Sequence, residues 1–241
     1  MLTKTNAIVL RCLRYADQKY IVDFYTEAYG RVACAVKISA TQRGKLRKQL
    51  FQPLTMLLLE LDHRPRQQMQ RLVDAQLAAP WTSLTTDITK MTVAMFIAEV
   101  MYHAIRQEQE DRQLYRFVEA SLQWLDAADS GVANFHIAFM IRLTQYLGCM
   151  PSADDYHDGA LFDMRTGEFT LVHPAYAEVL SAEESRRMLV MLRMTYPTMH
   201  LYRMSHHERQ RCLDIIIAYY RLHIPAFPVP KSLAVLEEVF G

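Results

Sequence analysis

Tyr20-Ile21-Val22-Asp23-Phe24-Tyr25, followed after Gly30 by Arg31-Val32-Ala33-Cys34-Ala35-Val36-Lys37-Ile38, is the stretch that decides the fold. In the first run Tyr20, Val22 and Phe24 share one face, and Ile21, Asp23 and Tyr25 share the other. Gly30 breaks the alternation and the second run resumes it, so the pair reads as strand, turn, strand. Working outward, Ala7–Leu13 (AIVLRCL) is a strand before it. Phe51–Asp62 (FQPLTMLLLELD) is a strand after it, with Pro53 near its start, where a missing N–H is tolerated. Gln67–Leu77 is a fifth, weaker run. Five short strands in the first eighty residues predict a small closed or nearly closed barrel. Residues 39–50 are too polar to pack and read as a loop.

Beyond Pro80-Trp81 the period changes from two to between three and four. From Ile88, apolar residues fall at Met91, Met95, Ala98, Met101, Tyr102 and Ile105, with Val93, Phe96, Ile97 and Val100 on the other sides. This predicts a helix buried nearly all round. A second, amphipathic helix runs through Leu114, Phe117, Val118, Leu122 and Leu125. A third runs from Phe135 to Leu147 and stops at Gly148, with Pro151 beyond. Turn-like segments at 156–159 and 165–168 predict a small hairpin within 152–174. Ser181 with Glu184, and Ser205 with Glu208, have capping-box spacing and introduce further helices, Leu189–Tyr196 and Arg211–His223. Lys231–Phe240 is a last short helix. The reading is α+β, with a barrel domain over 1–80 and a helical domain over 81–241 interrupted by 152–174.

The 241 residues are 51% hydrophobic and 22% charged, enough apolar material to exclude a disordered chain. Seven Gly disfavour a Gly-rich nucleotide-binding architecture. Cys12, Cys34, Cys149 and Cys212 form no CxxC pair, so neither a zinc knuckle nor a redox pair is indicated. No run resembles a secretory signal or a membrane span, and the expectation is a cytoplasmic protein.

Charge is the most informative feature. Residues 1–80 carry thirteen Lys or Arg against six Asp or Glu, and residues 81–241 carry fourteen against twenty. Between Ala28 and Leu59 there is no acidic residue, and Arg31, Lys37, Arg43, Lys45, Arg47 and Lys48 stand there. Arg11, Arg14 and Lys19 lie on or beside the first turn. Tyr15, Tyr20, Phe24, Tyr25 and Tyr29 are interleaved. Cations that follow phosphates and aromatic faces that stack bases are the requirements of single-strand binding. A solvated basic loop beside core aromatics satisfies the same composition, and composition alone does not separate the two.

No catalytic motif is present: no Walker A loop, GxGxxG, GxSxG or HExxH. Asp154, Asp155, His157, Asp158 and Asp163 could in principle serve a metal-dependent nuclease. Their spacing matches no ligand set, and a solvated acidic loop accounts for them better. Glu208 belongs with Ser205 at a helix start.

The chain resembles the bacterial RecO family of DNA-repair proteins. The resemblance is carried by Ala7-Ile8-Val9-Leu10-Arg11, Tyr15, Tyr20-Ile21-Val22, Phe24-Tyr25-Thr26, Tyr29-Gly30-Arg31 and Lys37. It continues through Gln52-Pro53-Leu54, Tyr146-Leu147-Gly148, Pro151, Tyr219-Tyr220, His223 and Lys231-Ser232-Leu233. The resemblance implies an N-terminal OB-fold, a helical domain and a small insertion. Many members build that insertion as a four-Cys zinc ribbon. This sequence keeps only Cys149 near it, so the expectation is a metal-free hairpin packed through Phe162, Phe169 and Leu171.

By resemblance the function is non-enzymatic recombination mediation without a cofactor. Such a protein binds single- and double-stranded DNA, anneals complementary strands, contacts the acidic tail of single-stranded DNA-binding protein, and acts with RecR to load RecA. Arg31, Lys37, Arg43, Lys45, Arg47 and Lys48 are the expected phosphate contacts, with Arg11, Arg14 and Lys19 secondary. Arg31 and Lys37 are the ones best placed on the family's pattern. Arg186, Arg187, Arg193, Arg203, Arg209 and Arg211 are candidates for the acidic tail. A nuclease, or an OB-fold scaffold for RNA or protein, are the alternatives.

Overall fold

The computed structural model describes residues 2–38, 46 and 48–239. Five strands, β1 (Leu2–Ala16), β2 (Lys19–Thr26), β3 (Gly30–Lys37), β4 (Met56–Asp62) and β5 (Met69–Leu77), close into a barrel in the order β1-β2-β3-β5-β4. All its pairings are antiparallel except β3–β5, which sets Ala33 opposite Met69, Cys34 opposite Gln70 and Ala35 opposite Arg71. This is the OB-fold architecture. The alternation read from sequence holds inside it: Val22, Phe24, Val32, Cys34, Val36, Leu57, Leu59 and Leu61 fill the interior.

Strand β1 is longer than the sequence indicated. Its polar first half pairs with β4 from Leu2 to Ile8, and its second half pairs with β2, with a register shift between Val9 and Arg11. Backbone pairing carries Lys4 and Asn6, whose side chains give no strand signal. Strand β4 starts later than expected, at Met56. A 3-10 turn (Lys48–Phe51) and a bend with Leu54 at φ 60° occupy the residues before it. Phe51 packs edge-on against Phe24 in the interior.

The chain divides into two compact units, Met1–Ala127 and Ala128–Gly241. The first contains the barrel and two helices, α1 (Ile88–Ala104) and α2 (Arg112–Ala127). The Asp126 carboxylate, near the end of α2, accepts the backbone N–H groups of Thr82, Ser83 and Leu84 at 2.7–3.0 Å. That ties the barrel-to-helix connection to α2. Helix α1 is not buried all round: Ile88, Met91 and Met95 are exposed on one stripe, opposite Val93, Phe96, Ile97 and Val100.

Gly30 shows how tightly the α1–α2 connection sits on the barrel. Its φ is +63°, and a Cβ there would lie 2.3 Å from the Gln109 carbonyl oxygen and 2.6 Å from that of Gln107. Arg31 N–H donates to that Gln107 oxygen at 2.9 Å. Only glycine satisfies both the backbone angle and the approach.

The second unit holds α3 (Phe135–Tyr146), a three-stranded sheet of β6 (Leu161–Asp163), β7 (Glu168–Thr170) and β8 (Val179–Leu180), then α4 (Ala182–Arg193), α5 (His206–His223) and α6 (Leu233–Val239). The sheet order is β7-β6-β8, so the insertion extends past the expected hairpin to Leu180. Ser205 and Glu208 form a reciprocal capping box at α5, and Ser181 caps α4 by accepting from Glu184 N–H. Both helices therefore begin at their caps, earlier than the hydrophobic pattern showed. The insertion packs through Phe162 and Phe169, whose rings meet at 5.0 Å, and through Phe162 against Tyr219. Leu171 does not take part; it is 68% exposed. Among the described residues no three His, Cys, Asp or Glu side chains gather to hold a metal ion, and no helix is long and apolar enough to cross a membrane.

Candidate nucleic-acid interface

The outer face of β2, β3 and β5 can be read from the register, because paired residues point to the same side of a sheet. Lys19 stands opposite Lys37 at one end. Ile21, Ala35 and Arg71 form the next row, and Asp23, Ala33 and Met69 the row after it. Ala33 and Ala35 leave the middle of this face low, with Ile21 and Met69 beside it. Lys19, Lys37, Arg71 and Met69 are exposed.

The predicted cations fall into four groups. Lys19, Lys37 and Lys48 are exposed, and among the described residues no carboxylate pairs with them. Lys37 and Lys19 are direct partners across β2–β3, where two like charges repel unless an anion lies between them. Arg14 sits opposite Tyr20 on the neighbouring β1–β2 pair and makes a 2.6 Å ion pair with the exposed Asp17. An exposed pair of this kind contributes little and is easily exchanged for a phosphate.

Arg11 and Arg31 behave differently. Arg11 Nε donates to one oxygen of Asp23 at 3.2 Å, and an Arg31 guanidinium nitrogen donates to the other at 3.3 Å. Arg31 also donates to the Tyr102 carbonyl at 2.9 Å. Both guanidinium carbons lie over the Tyr102 ring, at 3.9 Å and 4.1 Å from its centre. Asp23 is buried with 6% of its side chain exposed, and these two arginines are what compensate its charge. The cluster clasps α1 to the barrel. Arg43, Lys45 and Arg47 lie outside the described residues.

The interleaved aromatics also divide. Phe24 and Tyr25 are buried, and Tyr25 meets Tyr115 and donates to the Asp111 carbonyl. Burial pushes the Tyr25 phenol well above its ordinary range. Tyr20 packs partly against the barrel interior. Tyr15 is exposed beside Arg14, and Tyr29 stacks on His63 with ring centres 3.9 Å apart.

Arg71 was not singled out from the sequence. It belongs to the weakest strand signal, and only the parallel β3–β5 pairing brings it beside Ala35. The acidic residues considered for a nuclease do not converge. Asp163 accepts from Arg165 N–H, Thr166 N–H and the Tyr176 hydroxyl, Asp154 bonds Ser152, and Asp158 faces Arg186 at 3.5 Å.

In the second unit, Arg186, Arg187 and Arg203 rim a cavity of about 370 Å³ whose other walls include Val190, Tyr202, Met204 and Cys212. Glu208 also borders it, with its carboxylate turned back to the Ser205 backbone N–H. Of the remaining arginines, Arg209 donates to Asn134 and to the Met204 carbonyl, and Arg211 pairs with Glu184.

A closed five-stranded barrel with strand order β1-β2-β3-β5-β4 defines an OB-fold protein. Family comparison is more specific. The family described as Recombination protein O N terminal matches residues 1–81, and Recombination protein O C terminal matches residues 85–233. Proteins named DNA repair protein RecO from Bacteroides fragilis and Phocaeicola vulgatus are 44% and 43% identical over 241 residues, covering all of both chains. The one from Flavobacterium psychrophilum is 32% identical over 242 residues with the same coverage. The chain belongs to the RecO family.

Proposed function

We propose that the chain is a non-enzymatic DNA-repair and recombination mediator of the cytoplasm. It binds single- and double-stranded DNA on the open cationic end of the barrel and anneals complementary strands. It docks the acidic tail of single-stranded DNA-binding protein and acts with RecR to load RecA.

The observation that carries this reading is the Lys19–Lys37 pair, exposed on the outer face of the strands. Lys19, Lys37, Arg14, Lys48 and Arg71 are the phosphate contacts; Arg43, Lys45 and Arg47, outside the described residues, are added on their charge alone. Arg11 and Arg31, held by Asp23 and Tyr102, position the face. Annealing is slowed by repulsion between two phosphate backbones, and a cationic surface shared by both strands lowers that repulsion. No bond changes, so no catalytic residue is required.

The cavity bounded by Arg186, Arg187 and Arg203 supports the tail contact, since guanidiniums around apolar walls suit a peptide that is both acidic and apolar. The test is annealing of complementary oligonucleotides coated with single-stranded DNA-binding protein. Acceleration by this chain without strand cleavage is expected. Magnesium-dependent cleavage would establish the nuclease instead.

A further inference from the structure

At the other end of β3 from Lys37, the barrel carries a second concavity. It is about 90 Å³, several times the roughly 10–15 Å³ that one ordered water needs. Tyr29, His63, Arg31, Gln67, Gln68 and Glu108 are among its walls. Its chemistry differs from that of the Lys19–Lys37 end. The one guanidinium is bound to Asp23 and the Tyr102 carbonyl, and Glu108 opposes an anion. What remains is two flat rings stacked at 3.9 Å and 11°, with glutamine amides that both donate and accept. Burial holds the His63 ring below its ordinary pKa, against the opposing pull of the Glu108 carboxylate.

The loop that supplies His63 is braced from inside. The Gln70 side chain accepts from Arg64 N–H at 2.7 Å and donates to the Arg64 carbonyl at 3.0 Å and to the Gln67 carbonyl. The site is therefore built before a ligand arrives. Its one lining cation is already engaged, while its rings and amides offer planar stacking with mixed hydrogen bonding, and these are the demands of a nucleobase.

From this geometry we infer that the Tyr29–His63 concavity takes one base of a single strand whose phosphates lie on Lys19 and Lys37. Ala33 borders the concavity, and from Ala33 to Lys37 is four residues of strand, about 13 Å at the usual rise. The low Ala33–Ala35 face lies between them. The inference rests on the barrel being the DNA-binding surface, as proposed above.

The test uses the full chain and two fluorescent oligomers of equal length, poly-dT and an abasic sugar-phosphate strand. The intact protein should bind poly-dT about tenfold more tightly than the abasic strand, the scale of one good stacking contact. His63→Ala should abolish that preference, His63→Phe should retain it, and both should keep the same affinity for the abasic strand. Lys19→Ala with Lys37→Ala should weaken both oligomers alike. An unchanged preference in His63→Ala, or none in the intact protein, would overturn the base site while leaving phosphate binding intact. Failure to bind either oligomer would overturn the DNA-binding reading, and the base site with it.

Discussion

The two ends of the β2–β3 ribbon carry arginines and lysines of similar density but use them in opposite ways. Near Gly30, Arg31 and its neighbour Arg11 face a buried carboxylate and a tyrosine ring, and they fasten α1 to the barrel. At the Lys37 end, among the described residues, neither Lys19 nor Lys37 forms an ion pair, and the exposed Asp17 there pairs with Arg14. The difference lies in Asp23, which the fold places between the two arginines and out of reach of the lysines. A count of cations therefore says less about a binding surface than the position of the nearest buried anion.

The contrast can be broken most severely at its closed end. Gly30→Ala forces a side chain into positive φ and onto the Gln107 and Gln109 backbone. We expect at least about 3 kcal/mol of lost stability, read from urea denaturation. Asp23→Asn removes the charge that both arginines face. It should cost about 2–3 kcal/mol, because the arginines then lack their partner in a half-buried site. Its affinity for single-stranded DNA should not fall, since two cations are released. A stable Asp23→Asn with weakened binding would reverse the roles assigned to the two ends.

The second unit offers a control unrelated to either end. His136 is fully buried, and burial, reinforced by Arg209, lowers its pKa to about 3. The fold holds the neutral ring. Its contribution is complete above the unfolded pKa near 6.5 and is lost as pH falls from there towards about 3. Stability should decline by about 1.4 kcal/mol per pH unit through that window, beyond any carboxylate effects. His136→Gln should flatten the decline, measured by denaturation at pH 7 and pH 5. Smallest in stability is the open end: Lys19→Ala with Lys37→Ala should shift unfolding by no more than about 0.5 kcal/mol.

The barrel was legible because alternation is local. Tyr20–Tyr25 and Arg31–Ile38 announce both faces without help from the rest of the chain. The division among its cations was not legible, because it depends on Tyr102, which is 71 residues from Arg31 in sequence and meets it only through α1 packing. Arg71 was missed for a related reason, since parallel pairing with β3 leaves no local signature. The exposed stripe of Ile88, Met91 and Met95 was hidden by apolar residues on every side of α1, a composition that periodicity cannot resolve. In the insertion, Phe162 and Phe169 were readable as packing residues, while Leu171 lies just past the end of β7 and turns outward.

The most direct test is the salt dependence of single-stranded DNA binding. The intact chain should give a log–log slope of magnitude about 3 to 6. Replacing Lys19 and Lys37 with Ala should reduce that magnitude by about 1.4, two contacts' worth on a single strand, whereas Arg11→Ala should leave it unchanged. A slope that ignores the lysines, or falls equally with Arg11, would contradict the assignment of the open end to phosphate.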